Sequence, residues 1–400
     1  MCLSNYLTPC YVIDADIFAD NLEAFQKTFS QYWDGKLSFG YSIKTNHSPA
    51  FLAMAKQLGM YAESVSDDEY YASVFAGYET ENVIFNGPQK GEELLTELLD
   101  SECTINLDNA MDVEIVKKFV QRGSVVKARI GLRVNFDMES RCPGEMTAGP
   151  EVSRFGFCVE NGEFAFAVEE LRRLGVRISG LHMHYSSKTR SARVFHELAR
   201  MAAELVEAHN LKTELTYVDM GGGFFYGKNA FAAGKPSLEE YAQAIIVPLK
   251  TVLATANIEL ILEPGASLIS SAVSYYTKVI NQRFVRGVKV LTVDGSRLHI
   301  DPFLTGRKPL YSLHSLGMEK RDCMAEQIIC GSTCMENDRI VYLKAHEEIV
   351  VGDILICQYA GAYTMGFNSC FINLPPYVYV KQGENIQLVG EKNRNLLVQI

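Results

Sequence analysis

In the stretch YSIKTNHS, Lys44 ends an apolar run and is followed at once by polar residues. An isolated lysine there is usually the solvated end of an ordinary strand, so its chemistry depends on the residues the chain sets beside it. Glu63 and Ser66 stand in ESVSDDE, Asn86 in FNGPQK, Asp108 in INLDN, and Arg133 with Asn135 in GLRVN. His184 and Ser187 follow in GLHMHYSS, Gly221, Gly222 and Gly223 in DMGGGF, and Glu263 with Gly265 in EPG. The HMH triplet puts two histidines on one face of a strand, but no third ligand is evident and no metal is expected. DMGGGF reads equally as a tight turn or as a run of backbone N–H groups able to wrap an anion.

These residues share a position. Between about residues 37 and 265, β-rich runs alternate with helical stretches, and eight runs can be counted: LSFGYSIK, MYAESVS, NVIFNG, CTINLD, RIGLRVN, ISGLHMHY, TYVDMGGG and IELILEPG. Between most of them lie amphipathic segments such as PAFLAMAKQLG, MDVEIVKKFVQRG and SARVFHELARMAAELVEAHN, with apolar residues recurring at three and four. Eight such repeats predict an α/β fold, a parallel (β/α)8 barrel over residues 26–265, with the polar residues at the carboxyl ends of its strands, where barrel enzymes build their sites. After EPG the chain turns to strand-like pieces broken by Gly, Asp and Asn. Residues 266–400 therefore read as a β-rich, sandwich- or barrel-like domain, to which the strand in TPCYVID adds residues 1–25.

Composition narrows the partner. The chain has 400 residues, 48% of them hydrophobic, and a net charge of −10 spread without blocks, which disfavours nucleic acid or an anionic membrane and favours a small molecule. The first residues lack the basic and apolar regions of a signal peptide and no apolar run is long enough to span a bilayer, so a cytoplasmic location is expected. The ten cysteines are scattered, with no C-x-x-C pair, and read as reduced thiols with one exception, Cys334.

An amine, a carboxylate, an imidazole and an anion cradle on one rim suit pyridoxal phosphate. The chain resembles the alanine-racemase-fold group of pyridoxal-phosphate-dependent decarboxylases, which includes the diaminopimelate and ornithine decarboxylases. Its motifs run in the family's order over nearly the whole length: TPCYVID, YSIKTN, ESVSDDE, FNGPQK, SRFGF, GLHMHYSS, DMGGGF, EPG, CMENDRI and GAYT. The resemblance implies that Lys44 carries the cofactor covalently and His184 stacks on its ring. It places Ser187, Gly221–Gly223 and Tyr363 on the phosphate and Glu263 on the ring nitrogen, with Glu63, Ser66, Arg133 and Gly265 also around the cofactor. A carboxylate at the ring nitrogen favours decarboxylation; the related racemases place an arginine there. By the same resemblance the protein is a homodimer with shared sites, in which Cys334 of the second subunit returns a proton to the substrate carbon and Asp338 comes across the same interface.

Specificity is where the pattern departs. Family members read E-P-G-R and an acid directly after the cysteine, whereas Ala266 and Met335 stand here. Glu336 lies one residue later, within reach of a distal amine. Arg307 and Tyr311 of RKPLY resemble the segment that holds the distal carboxylate of diaminopimelate, and Phe371 joins the substrate set. Tyr185, Lys188 and Arg190 are expected near the pocket. Together these predict decarboxylation of an amino acid with a distal anionic group, with a racemase or epimerase, or a non-catalytic relative that binds the cofactor, as alternatives.

Overall fold

A computed structural model describes residues 6–149, 151–227, 234–315, 321–368 and 370–393. The chain divides into two compact units, one formed by Asn21–Tyr226 and Ala230–Ser267, the other by Met1–Asp20, Gly227–Asn229 and Leu268–Ile400. These limits differ by a few residues from the expected 25/26 and 265/266. One cause is the helix Ala15–Phe29, which runs on from the first strand without a break across the junction.

The strands in chain order are β1 (Cys10–Asp14), β2 (Leu37–Ser42), β3 (Tyr61–Ser64), β4 (Val83–Phe85), β5 (Thr104–Leu107), β6 (Arg129–Asn135), β7 (Phe157–Cys158), β8 (Ile178–His182) and β9 (Tyr217–Asp219). They continue as β10 (Glu259–Leu262), β11 (Val273–Val285), β12 (Val288–Val293), β13 (Tyr311–His314), β14 (Cys323–Cys330), β15 (Arg339–Glu347), β16 (Ile354–Cys357), β17 (Tyr377–Gln382) and β18 (Asn385–Gly390).

In the first unit β2, β3, β4, β5, β6, β8, β9 and β10 pair in parallel in that order, and β10 returns to β2, closing an eight-stranded barrel. All eight expected strands are present; the two-residue β7, which pairs beside β6, is an addition. The helices between them bury one stripe. Ala192–Ala208 turns Phe195, Leu198, Met201, Ala202 and Leu205 inward at three- and four-residue spacing. Phe195 stacks on Phe224 at 4.3 Å, and burial of such a ring stabilises by roughly 1.5–3 kcal/mol. The barrel interior is filled, as small barrels require. The ring of Tyr217 lies where a side chain on Gly180 would have to go, a Cβ there falling 2.0 Å from it.

In the second unit β1 lies between β11 and β17, antiparallel to the first and parallel to the second. The sheet continues as β15-β14-β12-β11-β1-β17-β18, with β16 joining β11 to β13. The bulge between Val279 and Asn281 lets the 13-residue β11 serve β1 and β16 with one half and β12 with the other. The expected placing of the N-terminal strand in the C-terminal sheet is what the pairing shows.

Candidate active site

The barrel register assembles the first half of the site. Ser42 pairs with Glu63, and Arg133, His182 and Asp219 stand level on β6, β8 and β9. Lys44 lies in the single 3-10 turn that follows β2. Its Nζ donates to Glu63 Oε2 at 2.5 Å, with the carboxylate buried and the lysine about one-third exposed. The lysine that looks like a strand's solvated end is therefore the partner of a buried acid.

A column of neutral donors and acceptors rises through the barrel to that acid. Tyr217 donates to Asn106 Oδ1 at 2.7 Å, Asn106 to Asn86 Oδ1 at 2.8 Å, and the Asn86 amide to both Glu63 (3.1 Å) and Glu263 (2.7 Å). Asn86 thus fixes the two carboxylates relative to each other, and its own orientation is set from below. Arg133 reaches Asp108 at 3.3 Å and lies over the Phe155 ring at 4.6 Å, which holds a guanidinium in the buried wall.

The glycine run packs against His184 and Glu263. Gly221 has φ +62°, and a Cβ on it would meet the His184 ring at 2.5 Å; one on Gly222 would meet the Glu263 carbonyl at 2.3 Å. Gly221 N donates to Asp219 Oδ1 at 2.9 Å and Gly222 N to His184 Nδ1 at 3.1 Å. Two amides of the expected anion cradle are thus directed at neighbouring side chains. The Gly222 bond makes Nδ1 an acceptor, leaving the imidazole proton on Nε2. Burial, with Arg133 nearby, pushes His184 down to about 3, so the ring is neutral and presents a flat face.

Other expected residues have local partners. Ser66 caps the helix Asp67–Phe75 by accepting from Glu69 N at 3.2 Å. Ser187 accepts from Arg190 N at 3.0 Å, keeping its own proton for another acceptor, and Arg190 holds φ +52°. The single Tyr185 hydroxyl proton is shared between Asn135 Oδ1 (2.7 Å) and the Phe136 carbonyl (2.6 Å), and Lys188 is exposed. Gly265 has no room for a side chain, since a Cβ would lie 2.6 Å from Thr45 Oγ1.

Three residues at this rim have roles that the sequence does not disclose. His182, the first histidine of HMH, is buried with neither ring nitrogen bonded among the described residues, and its Nε2 lies 3.7 Å from Glu263 Oε2. Asp219 is fully buried beside Glu263, and burial followed by that carboxylate raises it well above the usual range. Glu69 is pushed up to about 7, by burial first and by Glu63, while Val65 N and Lys44 oppose the shift. The S-x-x-E spacing of Ser66 and Glu69 is the signal that could have found the last.

Arg307, Tyr311, Cys334, Glu336, Asp338, Tyr363 and Phe371 belong to the second unit. Cys334 is exposed on the turn between β14 and β15 and lines a cavity of about 480 Å³ with Arg283, Glu336, Asp338 and Arg339. Asp338, expected to reach across an interface, is buried and folded onto its own turn. It accepts from Arg297 N (2.7 Å), Thr333 N (3.1 Å) and Thr333 Oγ1 (2.6 Å). Glu336 pairs with Arg339 at 3.4 Å. Arg307, Tyr363 and Phe371 are exposed, and Tyr311 is half-buried opposite Cys357.

The barrel residues fit pyridoxal phosphate. A lysine sits on a carboxylate, a neutral imidazole is fixed edge-on to a glycine turn that leaves no space for side chains at Gly221 and Gly222, and a second buried carboxylate, Glu263, directly follows the last pairing of β10. Residues 17–270 match the family described as pyridoxal-dependent decarboxylase, pyridoxal binding domain. The chain is 28% identical over 395 residues to a diaminopimelate decarboxylase of Archaeoglobus fulgidus, covering 96% of this chain and 90% of that one. Its fold superposes on a diaminopimelate decarboxylase of M. jannaschii in complex with L-lysine (TM-score 0.84, 21% identity, 99% and 92% of the two chains). It also superposes on the Paramecium bursaria Chlorella virus arginine decarboxylase (TM-score 0.75, 18% identity, 95% and 97%). No described helix is long and apolar enough to cross a membrane. With a match that spans the barrel and its lysine–carboxylate rim, the chain belongs to the pyridoxal-dependent decarboxylases.

Proposed function

We propose that the protein removes the α-carboxylate of an amino acid bearing a distal anionic group, in the manner of a diaminopimelate decarboxylase, using pyridoxal phosphate held by Lys44. The observation that carries this reading is the Lys44–Glu63 contact at 2.5 Å, linked through Asn86 to Glu263. Pyridoxal phosphate, when bound, supplies the sink for the electron pair left as carbon dioxide departs.

The chain's own groups do the rest. Glu63 takes or returns a proton at Lys44 Nζ, so the amine can exchange with that of the substrate. Glu263 sets a negative charge at the ring-nitrogen position, and His184, fixed by Gly222 N, offers its neutral face to the ring. Arg133 adds a fixed positive charge to the wall. Ser187 and the amides after Gly222 are the phosphate donors of this reading, with Ser66, Gly265 and Tyr363 completing the cofactor's surroundings.

In a homodimer, the exposed Cys334 of a second copy returns the proton to the carbon. Arg307 binds the distal anion, with Tyr311, Glu336 and Phe371 around it, and Asp338 acts there by shaping the Cys334 turn. The L-lysine held by the M. jannaschii enzyme supports a substrate of this size. The test is the absorbance of the purified protein with added pyridoxal phosphate, with and without Lys44→Ala, followed by carbon dioxide release from meso-diaminopimelate, ornithine, lysine and acidic conjugates. An absorbance band lost in the variant, with gas from an anionic substrate, is the expected result. Gas only from ornithine or lysine would reject the distal anion, and a band with no gas would turn the reading to a binding protein.

A further inference from the structure

We propose that Asp219 and Glu263 form a buried acid pair holding one proton between them, in which Asp219 is a positioning residue that leaves Glu263 as the pair's single negative charge. The role assigned to that charge rests on the function proposed above; the proton itself does not.

The geometry of the pair is specific. One ligand-capable atom from each of His182, Asp219 and Glu263 lies within 4.8 Å of the others, and all three side chains are buried. Glu263 takes the Asn86 amide on one oxygen and faces His182 with the other. Asp219 takes Gly221 N on Oδ1, while its Oδ2 has no hydrogen-bond partner among the described residues. The lysine and arginine nearest in the wall form their ion pairs with other acids, Lys44 with Glu63 and Arg133 with Asp108.

Two carboxylates at this separation, out of water and with no counter-charge paired to them among the described residues, cannot both ionise. His182 does not relieve them, because burial first and then Arg133 and Lys44 keep it neutral, against the opposing pull of Glu63 and Asp108. One proton therefore stays on the pair. Asp219 is the better holder: it is fully enclosed, and both Glu263 and Glu63 act to raise it. The Asn86 amide donates to Glu263 and so favours the pair's negative charge on that side, where it can meet a ring nitrogen. The pairing of Asp219 with Ile261 across β9 and β10, two residues before Glu263, explains why an aspartate two residues before the glycines belongs to this pair.

The test reads the proton first without cofactor. Infrared spectra of the cofactor-free protein near neutral pH should contain the stretch of a buried carboxylic acid, shifted by deuterium exchange and lost in Asp219→Asn. Binding of pyridoxal phosphate is then titrated by absorbance. Asparagine mimics the neutral acid and still accepts from Gly221 N, so Asp219→Asn should bind within about threefold of wild type while Glu263→Gln weakens binding about tenfold or more. Absence from the wild-type spectrum of any acid band that Asp219→Asn removes overturns the proposal, the band of Glu69 being one that this variant leaves in place. So does Asp219→Asn losing as much cofactor affinity as Glu263→Gln, with circular dichroism showing both folded. If wild type binds no pyridoxal phosphate, the functional reading falls, and the infrared band alone decides whether the pair holds its proton.

Discussion

Gly221→Ala is the substitution whose effect can be worked furthest from the structure. The new methyl would stand 2.5 Å from His184 Nδ1 and 2.6 Å from His184 Cβ, where carbon contacts settle near 3.5–4.0 Å, so the imidazole or the turn must move by about 1 Å. Alanine at φ +62° adds a backbone cost of about 1–2 kcal/mol. A displacement of that size in a group that orients the reacting centre costs on the order of 100-fold in rate. Gly223→Ala separates the two contributions: it shares the positive φ (+102°), but a Cβ there has only the Tyr185 carbonyl within 4 Å. The expected outcome is a loss of thermal stability in both variants, larger in Gly221→Ala, with cofactor affinity and turnover collapsing only there. Cofactor titration, turnover and melting temperature on the three proteins check this. Equal turnover in Gly221→Ala and wild type would refute the idea that the glycine exists to seat His184.

At the opposite end of the barrel, Glu259 accepts from Arg129 and Ser38 at 2.5 Å and from Lys36 at 2.9 Å. Burial alone would raise it, but Arg129, Lys36 and Ser38 outweigh burial and hold it at about 2. A depressed carboxylate contributes stability that is complete above its unfolded value near 4.5 and lost as pH falls toward 2. Glu259→Gln should therefore cost about 3 kcal/mol near neutral pH and progressively less in acid, as read by denaturant unfolding; a gap that stays constant into acid would contradict this. Asp338→Ala removes an acceptor shared by Arg297 N, Thr333 N and Thr333 Oγ1, so it should lower the melting temperature as well as activity, the loss being about 2–4 kcal/mol. Arg307→Ala should raise KM for a substrate with a distal carboxylate by about tenfold or more with little change in kcat; an unchanged KM would remove Arg307 from the substrate site.

The barrel was readable because its strands are apolar runs that end in the polar residues of the site, a pattern that solvated loops do not keep eight times over. The helix Asp67–Phe75 was harder, since only Tyr70 and Ser73 of it are buried and its apolar stripe is correspondingly weak. β13 and β14 are half-exposed and interrupted by polar residues such as Glu326 and Gln327, which hides their alternation. Within the site, Lys44, His184 and Glu263 announce themselves by residue type. His182 and Asp219 do not: each lies inside a motif, GLHMHYSS or DMGGGF, whose other residues draw the eye, and its meaning comes from residues on neighbouring strands that only the barrel register brings level. Ser66 and Asp338 show what a motif does not disclose. Each lies in a recognisable motif, but its side chain is occupied by backbone N–H groups of its own turn or of a neighbouring one.

The seating of β1 between β11 and β17 also sets an order of events on the ribosome. Asp14 and Lys381, paired in register and joined by an ion pair at 2.8 Å, are 367 positions apart. At roughly 5–20 residues per second, β1 waits on the order of 20–70 seconds for its parallel neighbour to be made. The barrel strands, by contrast, become available one after another and pair largely with the strand just synthesised. Nascent chains should thus pass through a stage with a closed barrel and an early strand paired on β11 alone, its β17 edge bare. A circular permutant that begins after β1 and carries it beyond β18 would remove that stage while leaving every contact in the sheet available.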